Sequence, residues 1–379
     1  MWGRREPMRS RPRVLTVISE LRLGGGAQSL LRNVLPALAA DFEVHLAVLM
    51  DPRDDIPYYQ RLSIPVHDLS KNGRLSPWCM FDVARLIRRL KPNVVHSHLT
   101  HADIATRFAV RLSGRPPLIT SNHLGWSGRE RSIGRRLHTG TTRMDDCTIT
   151  VSEAAHHYLM GKGIDGAQLR VIRNGVDPEV FRPQTGPDVE RLRRQVEGAG
   201  PVVLAVGRLV PEKAFHTLIA AMRRVVAGIA DVRAVIVGEG ELHASLHAQM
   251  RASGLTEHVT LWGRCEQMPL MYNAADLFVL SSDWEACPMS VLEAMGCQLP
   301  VVATDVGDNA ILVEHDVTGL MVPPGDPDKL SDAMLTLLRD DDMRVKMGVA
   351  GRRRLLARFT LDRTVQQLAA LYHEFARQY

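Results

Sequence analysis

Short apolar runs alternate with amphipathic stretches along almost the whole chain. RVLTVIS (Arg13 to Ser19), FEVHLAVL (Phe42 to Leu49), NVVHSH (Asn93 to His98), PLITSNH (Pro117 to His123) and CTITVS (Cys147 to Ser152) are continuous enough to be strands buried on both faces. LRVIRNGVD (Leu169 to Asp177) closes this series, and PVVLAVGRL (Pro201 to Leu209) starts a second one. The second continues through VRAVIVGEGEL (Val232 to Leu242), HVTLWGRCEQM (His258 to Met268), DLFVLSS (Asp276 to Ser282) and LPVVAT (Leu299 to Thr304). Helical patterns lie between them, as in AQSLLRNVLPALAA after Gly24-Gly25-Gly26, Met80 to Leu90, and FHTLIAAM from Phe215. Strand and helix in strict alternation predict parallel sheets covered by helices, an α/β fold.

The stretch Arg182 to Gly200 is rich in Pro, Gly and charge and carries no such run, so it reads as a connection between two units. At 379 residues the chain is long enough for two domains with separate cores. The expected division is 1–182, a linker over 183–200, and 201–359, with a helical tail over 360–379 that crosses back onto the first domain.

Composition narrows the class. Hydrophobic residues make up 45% and charged residues 23%, the profile of a water-soluble globular chain, and no apolar run is long enough to span a bilayer. The arginine-bearing start MWGRREPMRSRPRV has no apolar segment of the secretory kind. Five cysteines without a CxxC pair point to a reducing cytoplasm and away from structural zinc. Residues 1–150 hold 23 Lys and Arg against 13 Asp and Glu, a net of +10, whereas the remainder is −5. The first half is therefore expected to meet something anionic. With aromatics at 5% and no recognised nucleic-acid motif, an anionic bilayer surface or a lipid phosphate fits better than nucleic acid. GWSGRERSIGRRLHTGTTR gathers Arg129, Arg131, Arg135 and Arg136 beside Trp126 and Leu137, and is the expected place of peripheral membrane contact.

Candidate chemistry collects where strands end. SSDWEACPMSVLEAMGCQLPVVATDVG (Ser281 to Gly307) joins two strands through a helix that Pro288 suits at its first turn. Free N–H groups at such a helix start attract an anion, here beside Cys287, Met289 and Ser290. Glu285 and Glu293 flank that start, and acceptor-only carboxylates suit the hydroxyls of a sugar or ribose. Both equally suit solvated positions at a helix entry. Arg208 and Lys213 leave another strand, and two cations there suit a diphosphate. Gly25 and Gly26 would let a ligand approach a helix start in the first domain. His98, His101 and His123 lie at or near strand ends, with His98 more easily read as structural. His243 stands where a third glycine of a dinucleotide fingerprint would be, which weakens a nicotinamide reading.

Glu285, Pro288, Leu292 to Met295 and Pro300 to Thr304 resemble the donor signature of the retaining glycosyltransferases of family 4, where two glutamates seven residues apart precede an AMxxGxPVVAT-like strand. The GRL…P-E-K loop, the Gly-rich first loop, LITSNH and the turn Asn174 to Asp177 are similar to their counterparts in that family. Departures are Ala286-Cys287 for Gly-Phe, Gln298-Leu299 before the strand where a Gly is usual, Ala214 for Gly, and Gln28 for Glu.

The resemblance implies two Rossmann-like domains facing across a cleft, the GT-B arrangement. It also implies transfer of a sugar from a nucleoside diphosphate, uridine preferred, to a hydroxyl of a lipid-linked or polysaccharide glycan. His123, Arg208, Lys213 and Glu285 would be catalytic. Gly25, Gly26, Arg264, Cys287, Met289, Ser290 and Glu293 would bind the donor, with Cys265 beside Arg264 at the base. No metal or other cofactor is expected, because Arg208 and Lys213 can carry the counter-charge. The competing expectations are a nucleotide-sugar epimerase and a nucleotide-sugar-binding subunit that has lost catalysis.

Overall fold

In a computed structural model the described residues are 11–22, 24–71, 74–76, 78–123, 133–196 and 200–377, with only the backbone at Ile133 and Arg135. Two parallel sheets carry the fold. The first contains β1 (Arg13–Ile18), β2 (Glu43–Val48), β3 (Val66–Asp68), β4 (Val94–His98), β5 (Leu118–Asn122), β6 (Cys147–Thr150) and β7 (Leu169–Val171), in the order β3-β2-β1-β4-β5-β6-β7. The second contains β8 (Val202–Val206), β9 (Arg233–Val237), β10 (Val259–Gly263), β11 (Leu277–Leu280), β12 (Val301–Thr304) and β13 (Gly319–Val322), in the order β10-β9-β8-β11-β12-β13.

Every strand pair is parallel, and alternate side chains enter different cores. In the first domain Val14, Ile18, Leu46, Val94 and Ile119 pack on one face, while Leu15, Val17, Ala47, Val95 and Leu118 pack on the other. In the second, Leu204, Phe278, Leu280 and Val301 oppose Val203, Ala205, Val279 and Val302 across the sheet. Burial on both faces is why these strands read as unbroken apolar runs. β3 is short, half-exposed and polar at two of its three positions, so it left no such run to read.

The stretch expected as a linker holds the helix Pro187–Gln195, whose Leu192 is buried. Arg193 donates to the Ala274 carbonyl at 2.9 Å and pairs with Asp276 at 2.7 Å, so this segment is part of the second domain's wall. The charged residues that made it look like a connection are the exposed face of that helix. The chain leaves the first domain at Val176 and returns beside the same point. Val176 accepts from Leu361 N and donates to the Phe359 carbonyl, and a side chain at Gly175 would lie 2.2 Å from the Thr360 carbonyl. From there the helix Leu361–Ala376 lays Leu368, Leu371 and Tyr372 into the first domain's core, with Phe42 edge-on to Tyr372 at 5.5 Å.

Candidate active site

In both sheets the strand order reverses at the first strand, so β8 and β11 are neighbours whose following connections diverge to opposite faces. Ligands of open α/β sheets bind in the crevice that such a divergence leaves at the carboxyl ends of the strands. Lys213 comes from the loop after β8 and Glu285 from the loop after β11, and they meet there with Nζ to Oε1 at 2.5 Å. Both side chains are largely covered, at 18% and 10% exposure, so the pair works in a poorly hydrated place. Ser282 Oγ donates to the same oxygen of Glu285 at 2.7 Å, and Ser281 Oγ to the Lys213 carbonyl at 3.0 Å. Asp283 N donates to the Glu212 carbonyl at 2.9 Å, tying the two loops together through backbone.

Lys213 ends a short turn, Pro211–Lys213, and Ala214 then takes the left-handed conformation, φ +46°, before the helix Phe215–Gly228 begins. A glycine would adopt that φ freely, whereas alanine gives up about 1–2 kcal/mol. Ala214 is fully buried.

The helix Met289–Gly296 starts beside this pair with Pro288 as its N-cap, one position before the expected first turn. No side chain caps it, so the amides of its first turn are left for a ligand or solvent. Cys287 and Met289 frame that start, and Ser290 is its second residue. Burial pushes the Cys287 thiol up to about 12, so it stays protonated and unreactive at neutral pH. Glu293 lies one turn further on and accepts the Tyr272 hydroxyl at 2.6 Å. Burial raises its carboxyl above the ordinary range, and the tyrosine hydrogen bond acts against that rise.

Other expected residues stand apart from the pair. Arg208 is half-exposed and bonds Glu212 at 3.3 Å, on the same loop as Lys213. Arg264 is exposed and pairs with Glu239 at 3.1 Å, at the ends of the neighbouring strands β10 and β9. Gly25 and Gly26 belong to the first domain. Gly25 is the N-cap of the helix Gly26–Leu38, closely covered by the Gln28 side chain, and a side chain at Gly26 would meet open space.

His123 follows β5, and its Nε2 shares a hydrogen bond with His98 Nδ1 at 2.9 Å. His96 stacks obliquely on His98 at 4.1 Å and bonds Tyr372 Oη at 2.6 Å and Ser121 Oγ at 2.8 Å. Burial holds His96 at about 3 and His123 at about 4, so both rings are neutral at pH 7. A folded-state value below the ordinary 6.5 or so means the unfolded chain takes up protons first. Stability is therefore complete above that value and falls as the pH drops toward 4, by about 1.4 kcal/mol per pH unit for each ring. Urea unfolding at pH 7, 6 and 5 checks this, and an unchanged midpoint would contradict it.

Of the arginines expected to touch a membrane, Arg129 and Arg131 lie outside the described residues and the side chain of Arg135 is likewise not described. Arg136 is exposed on the helix Ile133–Thr141. Among the described residues no helix is long and apolar enough to cross a membrane, and none group as metal ligands. All five cysteines are unpaired.

The structure also brings residues to the site that sequence reasoning passed over. Ser281 and Ser282 were read as the end of a strand, and Tyr272 falls between two strands in a stretch with no predicted element. Asp308 lies in a loop of the second domain, yet its carboxylate accepts Glu153 N at 2.9 Å and Ala154 N at 3.2 Å from the first. The one local signal at Asp308, an acidic residue before a helix, points to a cap of its own helix instead.

Sequence models of two families match the chain: "Glycosyltransferase Family 4" over residues 24–180 and "Glycosyl transferases group 1" over 189–354. A GDP-mannose-dependent alpha-(1-6)-phosphatidylinositol monomannoside mannosyltransferase of Mycobacterium tuberculosis is 32% identical over 273 residues, 68% of this chain and 70% of that protein. A UDP-Gal:alpha-D-GlcNAc-diphosphoundecaprenol alpha-1,3-galactosyltransferase of Escherichia coli is 26% identical, covering 77% and 78%. Among solved structures, Anabaena Alr3699/HepE in complex with UDP-glucose superposes with a TM-score of 0.86 at 24% identity, over 96% of this chain and 99% of that one, which shows a shared fold. The two sheets, the Lys213 and Glu285 pair at their expected edge, and these matches agree that the chain is a glycosyltransferase of family 4 with the GT-B fold.

Proposed function

We infer that the protein moves a sugar from a nucleoside diphosphate to a hydroxyl of a lipid-linked or polysaccharide glycan with retention of anomeric configuration. The observation that carries this reading is Lys213 against Glu285 beside an uncapped helix start, a cation, an anion and free amides within one crevice. Transfer breaks the bond between the anomeric carbon and the phosphate oxygen, forms one to the acceptor oxygen, and releases the acceptor's proton. Negative charge grows on the leaving diphosphate, where Lys213 and the amides of the Met289–Gly296 helix oppose it. Arg208 joins them by exchanging Glu212 for phosphate. Glu285 holds sugar hydroxyls, and Glu293 holds the ribose while keeping Tyr272 as its support. Arg264, Cys265, Cys287, Met289 and Ser290 line the nucleotide, and Gly25, Gly26 and His123 face it from the acceptor side.

Membership in the family leaves the epimerase reading without support. The relatives named above act on phosphatidylinositol and diphosphoundecaprenol glycans, which favours a lipid-linked acceptor here. Contact of Arg129, Arg131, Arg135 and Arg136 with an anionic membrane at the cytoplasmic face would bring such an acceptor within reach, and co-sedimentation with vesicles containing anionic lipid tests it. No metal is needed in this reading, since Lys213, Arg208 and the amides supply the counter-charge. Full activity after chelation is expected, and an absolute requirement for Mg²⁺ or Mn²⁺ would overturn that part.

The base and the sugar are decided by one experiment, a calorimetric screen of UDP, GDP and their sugars, followed by transfer assays with the ligand that binds. Uridine is the expectation. Binding of neither would sink the reading. Glu293→Ala is expected to cost about 1.5–3 kcal/mol of donor affinity, the loss of a hydrogen bond to a charged group, read by the same calorimetry.

A further inference from the structure

Asp308 is a residue with a local task it does not perform. It sits at the N-cap of the helix Asn309–Leu312, a position where aspartate ordinarily accepts from its own helix, yet it makes no such bond. Instead its side chain, 2% exposed, reaches across to the first domain. There the helix Glu153–Gly161 follows β6, and its N-cap Ser152 satisfies Ala155 N at 3.1 Å. The two preceding amides, Glu153 N and Ala154 N, are satisfied by Asp308 at 2.9 and 3.2 Å. Arg173 Nε approaches the same carboxylate at 3.3 Å while its Nη2 holds Glu153 at 2.8 Å. A second-domain carboxylate thus completes the cap of a first-domain helix.

The contact is mechanically joined to the donor loop. Gly307, at φ +56°, lies so close to Glu285 that a side chain there would come within 2.0 Å of the Glu285 carbonyl. Beside Arg173, Asn174 Nδ2 donates to the Cys287 carbonyl at 3.1 Å. First-domain groups therefore grip the second domain at two points close to Glu285, the Cys287 carbonyl two residues after it and Asp308 next to the Gly307 that packs on it.

We propose that Asp308 is a positioning residue for transfer: by capping the Glu153–Gly161 helix it sets the alignment of the donor loop against the acceptor domain. This rests on the donor lying at Lys213 and Glu285. In that reading the donor's phosphates and hydroxyls are held by Lys213, Glu285, Glu293 and the Met289–Gly296 helix start, all in the second domain, while Gly25, Gly26 and His123 of the first only face it, so losing the clamp misaligns the acceptor far more than it weakens donor binding.

Asp308→Asn keeps the volume and removes the charge. It is expected to lower kcat at least tenfold with Kd for the nucleoside diphosphate unchanged within twofold, and to raise the radius of gyration measured by X-ray scattering. Asp308→Glu is expected to recover part of the rate, since it restores the carboxylate. Arg173→Met removes a single leg of the clamp and should give a smaller loss in the same direction; it keeps the question open to test if Asp308→Asn fails to fold. Unchanged kcat in Asp308→Asn, or a Kd that rises in step with the loss of rate, would overturn the proposal. The scattering measurement needs no substrate, so a change in radius without any transfer by the parent protein would strike the functional reading and leave the clamp standing.

Discussion

Replacing Lys213 with alanine is expected to lower kcat/KM for sugar transfer by about 10²–10³-fold, equivalent to about 2.7–4 kcal/mol of transition-state stabilisation, the loss expected for one preorganised donor at a developing anion. Lys213 is the cation of the crevice whose head is already desolvated, 2.5 Å from Glu285, whereas Arg208 is half-exposed and held by Glu212. A charge in a poorly hydrated place interacts more strongly with a leaving diphosphate than one in water does. Lys213→Arg is not expected to rescue the enzyme. The site holds a compact point charge against Glu285, and a wider planar guanidinium does not take the same place. Lys213→Ala also leaves the largely buried Glu285 with the Ser282 hydroxyl in place of a cation, so thermal unfolding is measured alongside the rate. A variant that unfolds near the parent's temperature but transfers at the parent's rate would remove Lys213 from the mechanism.

Arg107→Met is expected to have the largest effect on stability, a loss of about 3–5 kcal/mol. Arg107 is fully buried, and its guanidinium forms two parallel bonds to Asp145, each 2.7 Å. It also donates to the His138 carbonyl at 2.7 Å and to Thr141 Oγ1 at 2.9 Å. Asp145 in turn accepts the hydroxyls of Thr120 at 2.7 Å and Thr148 at 3.0 Å. Burial pushes the Asp145 carboxyl up and Arg107 pulls it back, so removing the arginine leaves an acid with strong reason to protonate and no room to hydrate. Because His138 and Thr141 lie on the Ile133–Thr141 helix, which carries Arg136, the same substitution loosens the segment expected to meet a membrane. Urea unfolding at pH 7 reads the loss directly, and a change below about 1 kcal/mol would show that the network contributes little. Arg107→Lys should fare little better, since an ammonium cannot serve both carboxylate oxygens and the helix carbonyl together.

How far the chain itself spoke depended on the range of each interaction. Strands such as RVLTVI and LFVLSS were legible because a parallel sheet buries both faces and demands a local run of apolar residues. The loop after β8 and the helix start after β11 were legible for a similar reason, since strand, turn and helix entry follow one another within a few residues. Glu285 and Lys213 could be named as candidates on those grounds. That they touch could not, because they are far apart in the chain and only the adjacency of β8 and β11 brings them together.

The helix Pro187–Gln195 shows the reverse case: its charges, prominent in sequence, look outward, and one buried leucine with two arginine bonds docks it. His98, read as structural, is buried, but the ring it meets, His123, follows the next strand and could not be named as its partner from the sequence. Tyr372 lies 276 residues from His96, and no local pattern encodes that bond.

Local order, then, was written in the chain itself: which segments become strands and helices, that there are two domains, and which loops hold cations and carboxylates at strand ends. Hydrophobic periodicity and turn chemistry act over a few residues and leave their marks within those residues. The partners of Lys213, the support that Tyr272 gives Glu293, the buried Arg107 and Asp145, and the reach of Asp308 across the domain boundary were settled only in three dimensions. Each of these pairings depends on burial of charge, and burial is a property of the whole packed molecule.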